Sequence, residues 1–170
     1  MKPTAGELNR MTKQKAYDVG YMARTREFYR AQGYTNDYQW AHYEQRPFTP
    51  LPRPLERCML GVITTAMPDT EQGRSNREVY ALKSDPIPAS MYTAELSWDK
   101  GATHTDDVGS FLPLEALNAA CSEGWIGATS PRFYTLPTEY SKRRTLEKDA
   151  PEILRRCRED AVDIALLVPL

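Results

Sequence analysis

The chain has 170 residues, a length that suits a single domain, and hydrophobic residues make up 41% of it, enough for a core. No apolar run approaches the roughly 20 residues that a membrane-spanning helix needs, and the first residues lack the apolar stretch of a signal peptide. The 22 Lys and Arg residues are balanced by 23 Asp and Glu residues, whereas nucleic-acid-binding proteins usually carry a basic surplus. Composition therefore predicts a cytoplasmic domain that binds neither membranes nor nucleic acid.

The first segment, residues 1–33, is predicted to form a long helix. Thr4 and Glu7 have the spacing of a capping box, in which both side chains satisfy free backbone N–H groups. Gly33 suits the left-handed conformation that commonly ends a helix. Gly20, inside the predicted helix, weakens it by about 1 kcal/mol relative to alanine. Apolar and aromatic side chains recur with an imperfect helical period, at Leu8, Met11, Val19, Met22 and Tyr29.

Residues 34–56 are rich in proline and aromatic side chains. Proline excludes regular structure around it because it lacks a backbone N–H and restricts the preceding residue. The segment is therefore predicted to wrap over the surface of the domain that follows, with its aromatic side chains as packing anchors.

The rest of the chain, residues 57–170, is predicted to be a parallel, layered α/β domain. Two apolar and β-branched runs, Cys58–Ala66 and Ala161–Val168, are typical of strands buried on both faces. The final run is also consistent with an edge strand and a short tail. Residues 67–90 are predicted to be mostly loop. The other predicted elements are short strands at Met91–Leu96 and Trp125–Thr129, a helix at Leu112–Glu123, and a helix capped by Asp149.

The metal-ligating residues are few and widely spaced. The chain has three cysteines, Cys58, Cys121 and Cys157, and two histidines, His42 and His104. No two of the cysteines and no two of the histidines have the close spacing that is typical of a zinc site. Three distant cysteines also do not resemble a disulfide framework, which needs an even number. No metal is therefore predicted, and the three cysteines are interpreted as small core residues.

Several segments resemble the selenoprotein B family of the glycine, sarcosine, betaine and D-proline reductases, especially its cysteine-using proteobacterial relatives. The segments follow the family's order and cover most of the chain. They are WAHYEQRPFTPLPRPL from Trp40, CMLGVITTA from Cys58, SWDKGATHTDDVGSFLPLEAL from Ser97, EGWIGATSPRFY from Glu123, PTEYSKRRT from Pro137 and DAVDIALLVPL from Asp160. The run D-D-x-x-x-F-L-P-L-x-x-L, followed by E-G-x-I-G, is the most specific part.

The resemblance implies that the redox residue of the family is not among these 170 residues. In the family, the strand corresponding to Val162–Val168 leads directly into a selenocysteine or cysteine, which would follow immediately after Leu170. The α/β domain is thus incomplete relative to the family, and no cofactor is expected in this chain. Three explanations stay open: a UGA codon read as stop, cleavage of a precursor, or a naturally short, non-catalytic gene product. The expected partner is the rest of the polypeptide or a second subunit, and a homo-oligomer is also left open.

The resemblance also points to candidate catalytic residues in one polar loop. A selenolate or thiolate nucleophile needs a shielded pocket with groups that donate and accept protons. His104, Asp106 and Asp107 are the candidate catalytic residues, and Trp98 and Asp99 of the same loop are candidates for substrate binding. The alternative is that one of the two later aspartates caps the turn before the next helix and that the histidine is an ordinary surface residue.

Three further candidates for substrate binding, Arg132, Tyr134 and Glu139, follow the predicted strand at Trp125–Thr129. Their loop is expected at the carboxyl edge of the sheet, where ligands bind in open parallel sheets. Arg132 is suited to hold the carboxylate of a small-molecule substrate with two parallel hydrogen bonds. Pairing of Arg132 with a local acid is the equal alternative.

Two functions are consistent with these features. The first is a subunit or fragment of a thiol- or selenol-dependent reductase, similar to the substrate-activating component of the family, and inactive alone because the redox residue is absent. The second is a non-catalytic binding or assembly module that retains the fold. The substrate is not specified by the sequence.

Overall fold

The computed structural model describes residues 20–36, 44–45, 49–94, 104–138 and 141–170 of the chain. The chain divides into two compact units, Met1–Gln45 and Arg46–Leu170. In the described residues, no helix is both long enough and apolar enough to cross a membrane.

The first unit contributes one described helix, α1 (Tyr21–Ala31). Gly20 lies at the N-cap of this helix, so the predicted placement of this glycine inside a long helix is corrected. The predicted start at Thr4 lies outside the described residues. Gly33 adopts the expected left-handed conformation, with a φ of 89°, two residues beyond the end of the helix.

The second unit holds the remaining elements. In chain order they are β1 (Met59–Thr64), β2 (Met67–Pro68), α2 (Glu71–Ser75), β3 (Tyr80–Lys83), β4 (Met91–Tyr92), α3 (Leu114–Ser122), β5 (Ala128–Thr129), β6 (Arg132–Thr135), α4 (Lys142–Arg144), α5 (Ala150–Glu159) and β7 (Ile164–Val168). A π-helical turn, Thr145–Asp149, joins α4 to α5. Strand, helix, strand, helix and strand follow one another as predicted, and the α/β class is confirmed.

The main sheet is mostly parallel and is built around β1. On one edge β1 pairs with β7 over five residues, from Leu60–Ile164 to Thr64–Val168. The other edge is shared by β5, beside the start of β1, and β6, beside its end. Strand β3 pairs antiparallel with β6 and closes that side of the sheet. A separate two-stranded ribbon joins β2 and β4.

Helices cover both faces of this sheet. On the α3 face, Val62 and Phe133 pack against Phe111, Leu112 and Leu114 at the start of α3. On the α5 face, Ile63 and Tyr134 pack against side chains of α5. The alternation of side chains along a strand explains why neighbouring residues of β6 enter opposite cores. The domain is thus a three-layer arrangement, as the pattern of buried strands predicts.

The prediction that β7 is buried on both faces is wrong. Ile164, Leu166 and Val168 are half-buried on the α3 face, whereas Ala165 and Leu167 are exposed, Leu167 by 69%. The reason is that α5 packs over β1 and β6, and no described helix covers the corresponding face of β7. Among the described strands β7 pairs only with β1, so it is an edge strand.

Two further predictions are corrected in the second unit. Residues 67–90, predicted to be mostly loop, contain β3, whose four residues pair along the whole of β6. Asp149 does not cap a helix, because helical structure begins at α4 with Ser141, whose hydroxyl accepts a hydrogen bond from Arg144 N. Asp149 is buried in the continuous helical segment that leads into α5.

Replacement of Phe133 by alanine is expected to lower the free energy of unfolding by about 3–5 kcal/mol, because the ring is 1% exposed in the core of the α3 face. Urea unfolding followed by circular dichroism measures this change. The matched control is Trp125→Ala, which removes a 68% exposed ring and is expected to cost less than about 1 kcal/mol. Equal, small losses in both variants would mean that residues 132–135 form a surface loop instead of a core strand.

Candidate functional site

The carboxylate of Asp160 is the centre of a polar cluster in the second unit, where it accepts three side-chain hydrogen bonds. Arg132 Nε donates to Asp160 Oδ2 over 2.8 Å, and Arg132 Nη2 donates to Oδ1 over 2.9 Å. The hydroxyl of Tyr134 donates to Asp160 Oδ2 over 2.6 Å. Glu159 lies 3.4 Å from Arg132 Nη2. Arg132 and Tyr134, two residues apart on β6, therefore both bind Asp160, which lies in the turn that connects α5 to β7.

These contacts hold each group in one charge state near neutral pH. The hydrogen bond from Arg132 is the main cause that lowers the pKa of the Asp160 carboxyl. The same hydrogen bond raises the pKa of the Arg132 guanidinium. Burial, followed by the hydrogen bond to Asp160, raises the pKa of the Tyr134 hydroxyl. The cluster therefore has a structural role, because its carboxylate, guanidinium and neutral phenol do not change their charge near pH 7. General acid–base catalysis at that pH needs other groups.

The prediction placed Arg132 and Tyr134 in a loop beyond the carboxyl edge, and the structure corrects that position. Both residues lie within the sheet on β6, where Tyr134 pairs with Ile63 of β1 and Arg132 pairs with Lys83 of β3. Of the two alternatives for Arg132, the local ion pair is present, with Asp160 as the acid. Glu139, the third residue of this predicted group, lies outside the described residues.

A cleft lies beside this cluster at the interruption between β5 and β6. Its volume is about 550 Å³, and we call it the Ser84 cleft. Ser84, Ser130 and the Arg132–Asp160 pair line it from the sheet side. Asn118 lines it from α3 and accepts a hydrogen bond from the Thr129 hydroxyl over 3.1 Å. The cleft thus combines hydroxyl groups, an amide and an internally neutralised ion pair.

The predicted catalytic residues lie in a different place. His104 is 71% exposed and Asp106 is 92% exposed, with His104 Nδ1 3.6 Å from Asp106 Oδ2. Asp107 accepts a hydrogen bond from Gly109 N over 3.0 Å and caps a short 3-10 turn. This geometry corresponds to the alternative of a capping aspartate and a surface histidine. A catalytic role for the three residues stays a prediction.

Asp106 and Asp107 line a second cleft of about 540 Å³, which shares no lining residue with the Ser84 cleft. The structure therefore brings Arg132 and Tyr134 together and separates both from the two aspartates. Trp98 and Asp99 lie outside the described residues. In the described residues, no group of three or more His, Cys, Asp or Glu side chains is placed to hold a metal ion.

All three cysteines are covered by the surrounding structure, fully or in part. Cys58 is buried, and its thiol contacts the carbonyl oxygens of Arg53 and Pro54 at 3.3 and 3.5 Å. Burial raises the pKa of the Cys157 thiol, which lies in the core of the α5 face. Cys121 is half-buried on α3, with its sulfur 3.5 Å from the Thr129 hydroxyl. Their arrangement is that of small core side chains.

The carboxyl edge of the sheet carries threonine side chains that the sequence interpretation missed. Thr64 ends β1, and its hydroxyl accepts a hydrogen bond from Ala66 N over 3.3 Å. Thr135 ends β6 and lies in register with Thr64, and both residues are buried. The available signal was the pair Thr64-Thr65 directly after a buried apolar run, where parallel strands present their ligand-binding ends.

Asp160→Asn is expected to lower the free energy of unfolding by about 1–3 kcal/mol at pH 7, because it removes the principal charged partner of Arg132 and leaves only the longer contact with Glu159. The pKa of Asp160 is lowered by folding, so its stabilising effect is present above the ordinary pKa of about 3.9 and is lost as the pH falls through the folded-state value. Urea unfolding at a series of pH values should therefore show that the free energies of unfolding of the variant and the original protein become equal in acid.

The matched control for this experiment is Glu159→Gln. Glu159 contacts the same guanidinium, but it is more exposed than Asp160, and its removal is expected to cost less than about 1 kcal/mol. A loss from Glu159→Gln as large as that from Asp160→Asn would contradict the assignment of Asp160 as the principal partner.

Comparison with known proteins identifies no relative of this chain: no family model matches it, and neither the curated proteins nor the solved structures contain a match.

Proposed function

We propose that this chain is a subunit or fragment of a cytoplasmic, thiol- or selenol-dependent reductase that resembles the substrate-activating component of the glycine, sarcosine, betaine and D-proline reductases. Its reaction is the reductive cleavage of a C–N or similar bond in a small molecule. The chain provides the scaffold and part of the pocket, and the redox cysteine or selenocysteine comes from the rest of the polypeptide or from a second subunit. By itself the chain is inactive.

The observation that carries this proposal is the alignment of three strand ends at one edge of the sheet. Thr64 is in register with Thr135 of β6 and with Val168 of β7. Beyond β7, Leu170 N donates to the hydroxyl of Thr65 over 2.9 Å. Ligands bind beyond the carboxyl ends of the strands in open parallel sheets. A redox residue that follows Leu170, as the resemblance implies, would begin at this edge.

The positions of the cysteines also support the proposal. The thiolate is the reactive form of cysteine, and a cationic neighbour or a helix N-terminus favours it. Cys58 and Cys157 are buried instead, and Cys121 lies on the covered side of α3. A reductase built on this scaffold therefore needs a nucleophile other than these three.

The purified 170-residue chain is expected to show no thiol-dependent reduction of glycine, sarcosine, betaine or D-proline, measured as release of the amine product. Iodoacetamide is expected to alkylate its cysteines no faster than it alkylates glutathione at pH 7, because Cys58 and Cys157 are buried and Cys121 is half-buried. Mass spectrometry after peptide digestion gives the rate at each cysteine.

Cys121→Ser serves as the control, since it removes the most accessible thiol and should leave the remaining two alkylation rates unchanged. Turnover by the chain alone, or one cysteine that reacts faster than glutathione, would overturn the proposal.

Sequencing of the gene past codon 170 tests, independently of activity, the explanation that a UGA codon is read as stop. A UGA codon followed by an open frame for a further strand supports recoding, and any other stop codon without such a frame contradicts it.

A non-catalytic assembly module is the second candidate, and the edge of β7 favours it. In the described part of the sheet β7 has a strand partner on one side only. Its exposed face carries Leu167, and no Lys or Pro interrupts its five residues. Charged residues and prolines are the usual protection of an edge strand against pairing with another chain. An unprotected edge of this kind suits association with a second copy.

If the chain is an assembly module, sedimentation velocity is expected to show a dimer that Leu167→Lys converts into a monomer, because a charge on the exposed face disfavours strand pairing. Leu51→Lys is the control, since Leu51 is also exposed but lies outside β7. A wild-type chain that remains monomeric at every concentration tested would argue against this second function.

A further inference from the structure

We draw no further inference here: the strongest candidate, the exposed aromatic cluster that Phe28, Tyr29 and Tyr34 form at and just beyond the end of α1, carries none because nothing in the described structure shows what covers it.

Discussion

The carboxylate of Asp160 joins two parts of the chain that are 28 residues apart in sequence, since it accepts hydrogen bonds from Arg132 and Tyr134 while lying in the turn before β7. The next acid in that turn, Asp163, accepts a hydrogen bond from Met59 N at the start of β1 over 2.9 Å. These bonds position the beginning of β7 relative to β6 and β1. Charge-assisted, bidentate contacts have a defined geometry, so they restrict the register of strands that apolar contacts alone leave adaptable.

The same hydrogen bonds limit which side chains of the domain can still bind or react with a ligand. Arg132, the residue best suited by type to hold a carboxylate, already binds one. The buried thiol of Cys157 and the buried phenol of Tyr134 have raised pKa values and stay neutral. The side chains of this cluster are therefore committed to holding the fold together.

The local pattern was enough to predict β1, α3 and the order of strands and helices, because a β-branched apolar run such as that in β1 has few alternatives. It did not reveal β3, whose four residues become a strand through pairing with β6, more than 45 residues later. It also overestimated the burial of β7, since two neighbouring helices decide which face of a strand is covered. Burial of an apolar run depends on its neighbours, and these are set by packing over long sequence separations.

The sequence by itself determined the α/β class, a mostly parallel main sheet and the residue types available for chemistry. Only the tertiary structure decided which of those residues are free. Arg132 carries its charge in any conformation, but its partner Asp160 is brought within hydrogen-bonding distance by the return of α5 across the sheet. Ser84 lies in a predicted loop, and only folding buries its hydroxyl where the described residues offer it no hydrogen-bond partner. Side-chain chemistry is local, whereas burial and pairing are properties of the packed chain.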